Sequence, residues 1–237
     1  MKATIHQPQF LPWLGYLDKI AQSDLFVVLD NVQFKKNEWQ NRNRIRTAER
    51  WQWITVPVLH DFGQSIGDVR INNDVHWRQQ HLRAIEIHYA RAPFRQIGLD
   101  ALTSVYAQPW ARLADLNLAV LRWLLSVFGI ETPIRLASEM VLRTQPTDRL
   151  IDICRLLHAD TYLAGAGADA YMDRPRFEAS GIRLETQMFH HPVYRQCYDP
   201  FLPGMSAIDL MMTEGPDAFH RLRAQSAETG LLEGRSA

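Results

Sequence analysis

The first thirty residues alternate between strand and helix patterns, and this alternation constrains the fold more than any other feature. Residues 3–5 predict a short strand that ends at His6, and apolar residues at helical spacing over 14–22 predict a helix. The continuous apolar run 25–29 predicts a strand buried on both faces, as in a parallel sheet. Strand, helix and strand within this length have the size of a βαβ unit.

The rest of the chain continues the alternation on both sides of a helical middle segment at about 76–130. Further strands are predicted at 53–58, 69–71, 134–137, 161–164 and 182–185, and helices at 77–89 and 111–128. Thr147 is the predicted N-cap of the next helix, and Ser206 begins a last helix with Asp209 in the capping-box position. The pattern predicts an α/β fold with an open, mostly parallel, Rossmann-like sheet covered by helices on both faces. We expect one domain over 1–222 and a loose tail over 223–237.

Composition excludes several classes of protein. The formal net charge is zero, which disfavours general nucleic-acid binding because phosphate neutralisation needs a basic surplus. There is no apolar stretch long enough for a membrane span and no signal-peptide pattern at the N-terminus. Two cysteines do not form a disulfide framework. These features predict a cytoplasmic protein, either monomeric or an oligomer of identical chains.

Three candidate site segments directly follow predicted strands. His6 ends the first strand, Asp30 follows the second, and the turn Gly165-Ala166-Gly167-Ala168-Asp169 follows the strand at 161–164. Open parallel sheets bind ligands beyond the carboxyl ends of their strands. If these strands are parallel neighbours, the three segments face one crevice, where Gly165 and Gly167 allow backbone amides to approach a ligand.

The first block that indicates chemistry is residues 6–16. Pro8 and Pro12 stiffen the turn, and Gly15 permits a close backbone approach near a helix start, which suits an anion. His6 is a candidate for binding phosphate or moving a proton near neutral pH. Gln7 and Tyr16 are candidate ligand contacts, although the aromatic residues of this block also fit a purely structural role in the core.

The second block combines amides and cations over residues 30–44. Six cations and only two acids lie within the sixteen residues 35–50, which suits a small anionic ligand such as a nucleotide or sugar nucleotide. Directed hydrogen bonds to such a ligand are expected from a loop that carries Gln33, Lys35, Asn41, Arg42, Asn43 and Arg44. The alternative is that its Asn and Asp residues cap local turns.

No metal site is predicted. The adjacent histidines His190 and His191 lack a partner pair at a recognised ligand spacing. The sequence also contains neither a Gly-x-Ser-x-Gly elbow nor a phosphate-loop motif.

Several blocks together resemble one known family. His6-Gln7-Pro8-Gln9-Phe10-Leu11-Pro12-Trp13-Leu14-Gly15-Tyr16, with similar blocks at 29–34, 39–44, 55–58, 113–117, 161–165 and 191–194, resembles the WbqC-like proteins. The resemblance spans roughly residues 3–217. It implies a role in bacterial surface-polysaccharide biosynthesis, including O-antigen and lipopolysaccharide, and within it transfer of glycine or a similar acyl group to an amino sugar. The chain departs from the family's usual Ser-Gly-x-Gly turn, since Ala164 precedes Gly165.

The N-terminal half is also similar in layout to the nucleotidyl-transferase superfamily. Those proteins place two histidines on a triphosphate, the second usually after the glycine, where this chain has Tyr16. Tyrosine can donate a hydrogen bond to a phosphate but brings no positive charge.

Two functions therefore remain open. In an ATP-dependent acyl transferase, His6 and the helix start at Gly15 would hold phosphates, Arg42 and Arg44 would neutralise developing charge, and Asp30 or His191 would orient or deprotonate the sugar amine. A thioester donor would replace ATP in a variant of this scheme. The alternative is a binding protein without turnover, a sugar-nucleotide sensor or assembly factor. In both cases the expected partner is a small molecule such as a nucleotide-linked amino sugar.

Overall fold

The computed structural model describes residues 1–167 and 172–224, and it confirms the α/β fold. The strands are β1 (Lys2–His6), β2 (Leu25–Val28), β3 (Arg42–Arg46), β4 (Trp51–Thr55), β5 (Val58–Leu59), β6 (Arg70–Ile71), β7 (Ile134–Leu136), β8 (Thr161–Ala164) and β9 (Arg183–Thr186). The α-helices are α1 (Leu14–Ala21), α2 (Trp77–His88), α3 (Arg95–Tyr106), α4 (Leu113–Val127), α5 (Pro146–Leu156), α6 (Arg174–Ala179) and α7 (Ala207–Glu214). Five strands form one parallel sheet in the order β7-β2-β1-β8-β9.

Helices cover both faces of this sheet because its central strands are apolar on both sides. Phe26 and Val28 of β2 pack into the core that contains α1 and α4. Ala3, Ile5 and Val27 point the other way, into the smaller core formed with α5 and α6. Alternation of side chains along a strand explains why neighbouring residues belong to different cores.

Two of the predicted strands do not join the parallel sheet. β4 pairs antiparallel with β3, and β5 pairs antiparallel with β6, so the segments at 53–58 and 69–71 form small separate ribbons. Pro57 interrupts the first segment, because it has no N–H to donate to a ladder. The prediction of a loop through residue 44 was likewise wrong from Arg42 onward, where β3 begins.

The helical middle segment contains one helix that the sequence pattern did not reveal. α2 and α4 match the predicted helices, whereas α3 was missed. Gly98 lies inside α3, and a Cβ there would stand 2.3 Å from Met212 Cε, so the glycine lets α3 pack closely on α7. Among the helices of the described residues, none is long and apolar enough to cross a membrane.

One predicted helix cap is wrong, and the other is confirmed without its capping box. Gln145, not Thr147, is the N-cap of α5, since its side chain accepts a hydrogen bond from the Asp148 amide. Ser206 does cap α7, but the Asp209 carboxylate does not turn back to close a capping box. The predicted loose tail, 223–237, lies outside the described residues from 225 onward, while 218–224 are helical.

A buried polar network joins β3 to the C-terminal loop. Asp209, 0% exposed, accepts hydrogen bonds from Tyr89 Oη (2.8 Å), Tyr194 Oη (2.7 Å) and Gln196 Nε2 (2.8 Å). Burial raises the pKa of Asp209, and these hydrogen bonds oppose the rise. The network therefore satisfies a carboxylate that is removed from water.

Arg46 is the cation of the same region and is fully buried. Its guanidinium donates to the carbonyl oxygens of Thr47, Arg50, Tyr198 and Pro200. These acceptors come from two segments about 150 residues apart in sequence, as the separation of Arg46 from Tyr198 shows. Arg46 thus fastens the loop before α7 to the β3–β4 ribbon.

We expect Arg46→Met to destabilise the protein by about 3–5 kcal/mol, because it leaves several buried carbonyls without a donor. Urea unfolding followed by circular dichroism measures the loss. Arg83→Met is the matched control, since Arg83 is an exposed helix residue whose ion pair with Glu86 contributes at most about 1 kcal/mol. Equal stability of the two variants would contradict the role given to Arg46.

Candidate functional site

The three candidate segments lie at the same edge of the sheet, because each is at the carboxyl end of one of three neighbouring strands. β1 lies between β2 and β8, and all three run parallel. His6, Asp30 and Gly165 therefore follow adjacent strands at their carboxyl ends, as the sequence predicts. Two cavities open at this edge, and both are lined by Ile5, His6 and Tyr162.

The first cavity, which we call the α5 cavity, has a volume of about 470 Å³. Its polar lining comes from His6, Gln7, Gln33, Lys35 and Arg149. Arg149 lies in the first turn of α5, and none of the described lining residues is acidic. Two cations without a lining acid make this cavity attractive to an anion.

The second cavity, the α1 cavity, has a volume of about 400 Å³. It combines aromatic walls with a few polar groups and the glycine turn after β8. Its lining residues are Ile5, His6, Trp13, Gly15, Tyr16, Lys19, Tyr162, Gly165, Ala166, Gly167, Gln187 and Phe189. Both volumes fall in the range of small-molecule sites, about 300–1,000 Å³.

His6 stands between the two cavities as a neutral imidazole. Nδ1 lies 3.0 Å from the Gln7 carbonyl oxygen, which can only accept, so Nδ1 carries the proton and Nε2 is an acceptor. Burial and the nearby charge of Lys19 lower the pKa of His6 to about 3, against a smaller rise from the Gln7 carbonyl. At pH 7 the ring is therefore uncharged, and the cations that line the α5 cavity are Lys35 and Arg149.

Tyr16 and Gln7 support this arrangement. The Tyr16 hydroxyl donates to the Gln7 carbonyl at 3.1 Å, and its ring packs edge-on against His6 with centroids 5.0 Å apart. The Gln7 side-chain oxygen accepts from Gln40 Nε2 at 2.7 Å. In this structure the Tyr16 hydroxyl thus holds the turn after β1, although its ring lines the α1 cavity.

The glycines of the site differ in how much space surrounds the position where a Cβ would lie. A Cβ on Gly15 would lie 2.3 Å from the Trp13 ring, so Gly15 makes room for the indole that walls the α1 cavity. A Cβ on Gly165 or Gly167 would meet no atom within 4 Å among the described residues. The space in front of these two glycines opens to the cavity. Ala168 and Asp169, from the same predicted turn, lie outside the described residues.

Asp30 is placed at the predicted edge but does not line either cavity. Its carboxylate accepts from the Ser138 amide at 2.9 Å and from the Ser138 hydroxyl at 2.6 Å. Ser138 follows β7, so Asp30 joins the ends of two adjacent strands. Its predicted role in orienting or deprotonating a sugar amine is not supported by this placement.

His191 also lies apart from both cavities. Its Nδ1 is 2.9 Å from the Pro192 carbonyl, and its Nε2 accepts from the Gly204 amide at 3.0 Å. Burial lowers the pKa of His191. The His191 ring stacks near Trp13, which lines the α1 cavity, and so supports the Trp13 side of that cavity from outside.

Asn41 and Asn43 hold backbone rather than face the cavities. Asn43 Nδ2 donates to the carbonyl oxygens of Phe10 and Leu11, at 3.2 and 2.7 Å, and so fixes the proline-rich turn. Asn41 Nδ2 donates to the Val56 carbonyl at 3.1 Å. The alternative, that these residues cap local turns, fits only part of their contacts: Asn41 Oδ1 accepts from the nearby Asn37 amide, whereas both Nδ2 groups reach backbone 15 or more residues away.

Arg42 and Arg44 lie on the β3–β4 ribbon against three tryptophans. The Arg42 guanidinium carbon is 4.1 Å from the centre of the Trp53 ring. The Arg44 guanidinium carbon is 5.3 Å from the Trp39 and Trp51 rings, and its Nη2 donates to the Gly204 carbonyl at 3.0 Å. The structure therefore brings eight predicted residues to the cavities and leaves six outside them: Asp30, Asn41, Arg42, Asn43, Arg44 and His191.

Lys19 is the main site residue that the sequence did not reveal. It is 2% exposed, lines the α1 cavity, and donates from Nζ to the Ile5 carbonyl at 3.3 Å. Burial lowers the pKa of Lys19 to about 7. A lysine on the short helix α1, most of whose residues are apolar, was the available signal, since Lys is rarely buried unless it is paired.

Two further residues were missed. Gln187 Nε2 donates to the Gly15 carbonyl at 2.9 Å and to Asp18 at 2.8 Å, which joins the segment after β9 to α1. Arg149 carried a signal in the sequence, because a cation in the first turn of a helix is unfavourable for the helix dipole. Among the described residues, no group of three His, Cys, Asp or Glu residues is arranged to hold a metal ion.

The chain belongs to the WbqC-like protein family, which it matches over residues 7–221. It is 35% identical over 227 residues to a protein of Mycobacterium tuberculosis named "Uncharacterized protein Rv1507c", covering 94% of this chain and 97% of that one. No solved structure matches the chain, so the likeness to nucleotidyl transferases is not confirmed.

The lowered pKa of Lys19 predicts how stability depends on pH. In the unfolded chain the amine titrates near 10.5 and in the folded protein near 7, so the unfolded state binds more protons between these values. The stability of the wild type relative to Lys19→Met should therefore rise by about 2 kcal/mol from pH 7 to pH 9. Urea unfolding of both proteins at each pH measures this difference, and parallel pH profiles would contradict it.

Proposed function

We propose that this protein is a transferase of bacterial surface-polysaccharide biosynthesis that joins a small acyl group, such as glycine, to a nucleotide-linked amino sugar. The observation that carries the proposal is the pair of cavities that meet at His6, only one of which is lined by Lys35 and Arg149. Two ligands can approach a common point from opposite sides of one imidazole. Family membership supports the biosynthetic setting.

The α5 cavity is the candidate site for the phosphates of the nucleotide sugar. Lys35 supplies a point charge and Arg149 a guanidinium, and the positive end of the α5 dipole adds to both. Arg149 donates to the carbonyls of Arg143 and Thr144, contacts that also locate its guanidinium. The amides of Gln7 and Gln33 can orient polar groups of the ligand.

His6 is the candidate contact to the sugar amine in place of Asp30 and His191. Its Nε2 accepts no described hydrogen bond within residues 1–167 and 172–224, while Nδ1 is held by the Gln7 carbonyl. A fixed acceptor at the junction of the cavities can hold an amine N–H so that the nitrogen lone pair points toward the acyl carbon. If ATP is the activator, it supplies the activation of the acyl carboxylate when bound.

One observation favours the alternative, a sugar-nucleotide-binding protein without turnover. The strongest proton-transfer candidates of the sequence, Asp30 and His191, are both engaged in internal hydrogen bonds. Cys154 is also an unsuitable nucleophile, because burial raises its pKa to about 12. Binding by the α5 cavity is expected under both functions.

The test combines ligand binding with turnover. Purified protein is titrated with nucleotide-linked amino sugars, then supplied with radiolabelled glycine and ATP, or with a glycyl thioester, and the labelled sugar is quantified. Transfer of label supports the transferase; tight binding with no transfer from either donor supports the binding protein and contradicts the transferase.

We expect Arg149→Met to weaken nucleotide-sugar binding about 10- to 100-fold, because it removes a charge-assisted contact to phosphate. Titration calorimetry measures the affinity. Arg155→Met is the matched control: Arg155 lies in the same helix but is exposed and does not line the α5 cavity. Equal losses in both variants would contradict the assignment of the phosphates to this cavity.

A further inference from the structure

The buried cation Lys19 lines the α1 cavity, and no acid among residues 1–167 and 172–224 forms an ion pair with it. The Nζ of Lys19 donates to one carbonyl oxygen, that of Ile5, although an ammonium group has three donors. None of the described residues that line this cavity is an acid. Burying an ammonium group in this way is costly unless an anion accompanies it.

The neighbouring carboxylate of Asp18 does not fill this role. Its two oxygens accept from Arg223 Nε at 3.0 Å, Gln187 Nε2 at 2.8 Å and Gln22 Nε2. These partners turn Asp18 toward the C-terminal helical segment. Lys19 thus faces a cavity while the adjacent acid is satisfied elsewhere.

We propose that the α1 cavity is the binding site of a small carboxylate, held by the Lys19 ammonium group. The inference deepens the proposed function and rests on it for the carboxylate's role as acyl donor, but the binding is measurable on its own. The ligand completes the ion pair that the described residues leave open.

The lining favours a carboxylate over a phosphate. One amine balances one negative charge, whereas the two cations suited to phosphate, Lys35 and Arg149, line the other cavity. Trp13, Tyr162 and Phe189 give the α1 cavity an apolar wall that suits a small organic acid. The backbone at Gly165 and Gly167 is open to the same space.

Binding should be coupled to proton uptake. Burial holds the pKa of Lys19 near 7, and a carboxylate at the amine favours its charged form. The other titratable groups that line the cavity are His6 from β1, Tyr16 from α1 and Tyr162 from β8. His6 and Tyr16 stay neutral across pH 7–9, since burial lowers the pKa of His6 to about 3 and raises that of Tyr16.

The first experiment needs no variant. Acetate is titrated into the wild-type protein at pH 8 by calorimetry in two buffers of different ionisation enthalpy, with acetamide as the uncharged control. We expect the protein to take up as much as about 0.9 proton for each acetate bound, because an amine of pKa 7 is only about 10% protonated at pH 8. Affinity should fall about tenfold per pH unit between pH 7.5 and 9.

The second experiment uses Lys19→Met, which keeps the length of the side chain but not the amine. We expect at least a tenfold loss of acetate affinity and no remaining proton uptake. Lys36→Met is the control, because Lys36 is exposed and lines neither cavity. Binding of both acetate and nucleotide sugar should be unchanged in Lys36→Met.

Each outcome separates the two proposals. Acetate binding without proton uptake, acetamide binding as tightly as acetate, or full acetate affinity in Lys19→Met overturns the carboxylate site and leaves nucleotide-sugar binding and transfer to be judged by their own assays. Lys19-dependent acetate binding in a protein that transfers no acyl group supports the carboxylate site and contradicts the transferase.

Discussion

The parallel pairing of β1 between β2 and β8 is the constraint on which the rest of the structure depends. It brings Lys2 and Thr161 side by side and places the end of β1 at the middle of the sheet edge. His6 is the last residue of that strand, and it lines both cavities. Helix α1 covers one side and α5 the other, which is why one imidazole borders two spaces of different character.

Polar residues divide into those that build this edge and those that remain available to a ligand. Asn43 holds the turn after β1, Asp30 ties two strand ends together, and Arg46 with Asp209 anchors the C-terminal loop. Buried polar groups of this kind are costly when unsatisfied, so their hydrogen bonds are committed to the fold. The cations Lys19 and Lys35 differ, since each lines a cavity with no acid among its described lining residues.

The sequence predicted what depends on local pattern. The βαβ start, the strands of the parallel sheet and the glycine turn all have short-range signatures, and the rule for ligand sites in parallel sheets located the edge. It did not predict contacts between distant segments: Asp30 with Ser138, Arg44 with Gly204, and His191 with the Gly204 amide. These contacts removed Asp30, Arg44 and His191 from the predicted site. Lys19 was missed for the complementary reason, because only the fold shows that it lines a cavity with no acid among the described lining residues.

We propose that the two cavities beside His6 hold the two substrates of one reaction. A crystal structure of the protein soaked with a nucleotide-linked amino sugar tests it most directly. We expect the diphosphate of the ligand to contact Lys35 and Arg149, and its amino group to lie within hydrogen-bond distance of His6 Nε2. Density for the ligand on the tryptophan-lined β3–β4 ribbon, with both cavities free of it, would contradict the account.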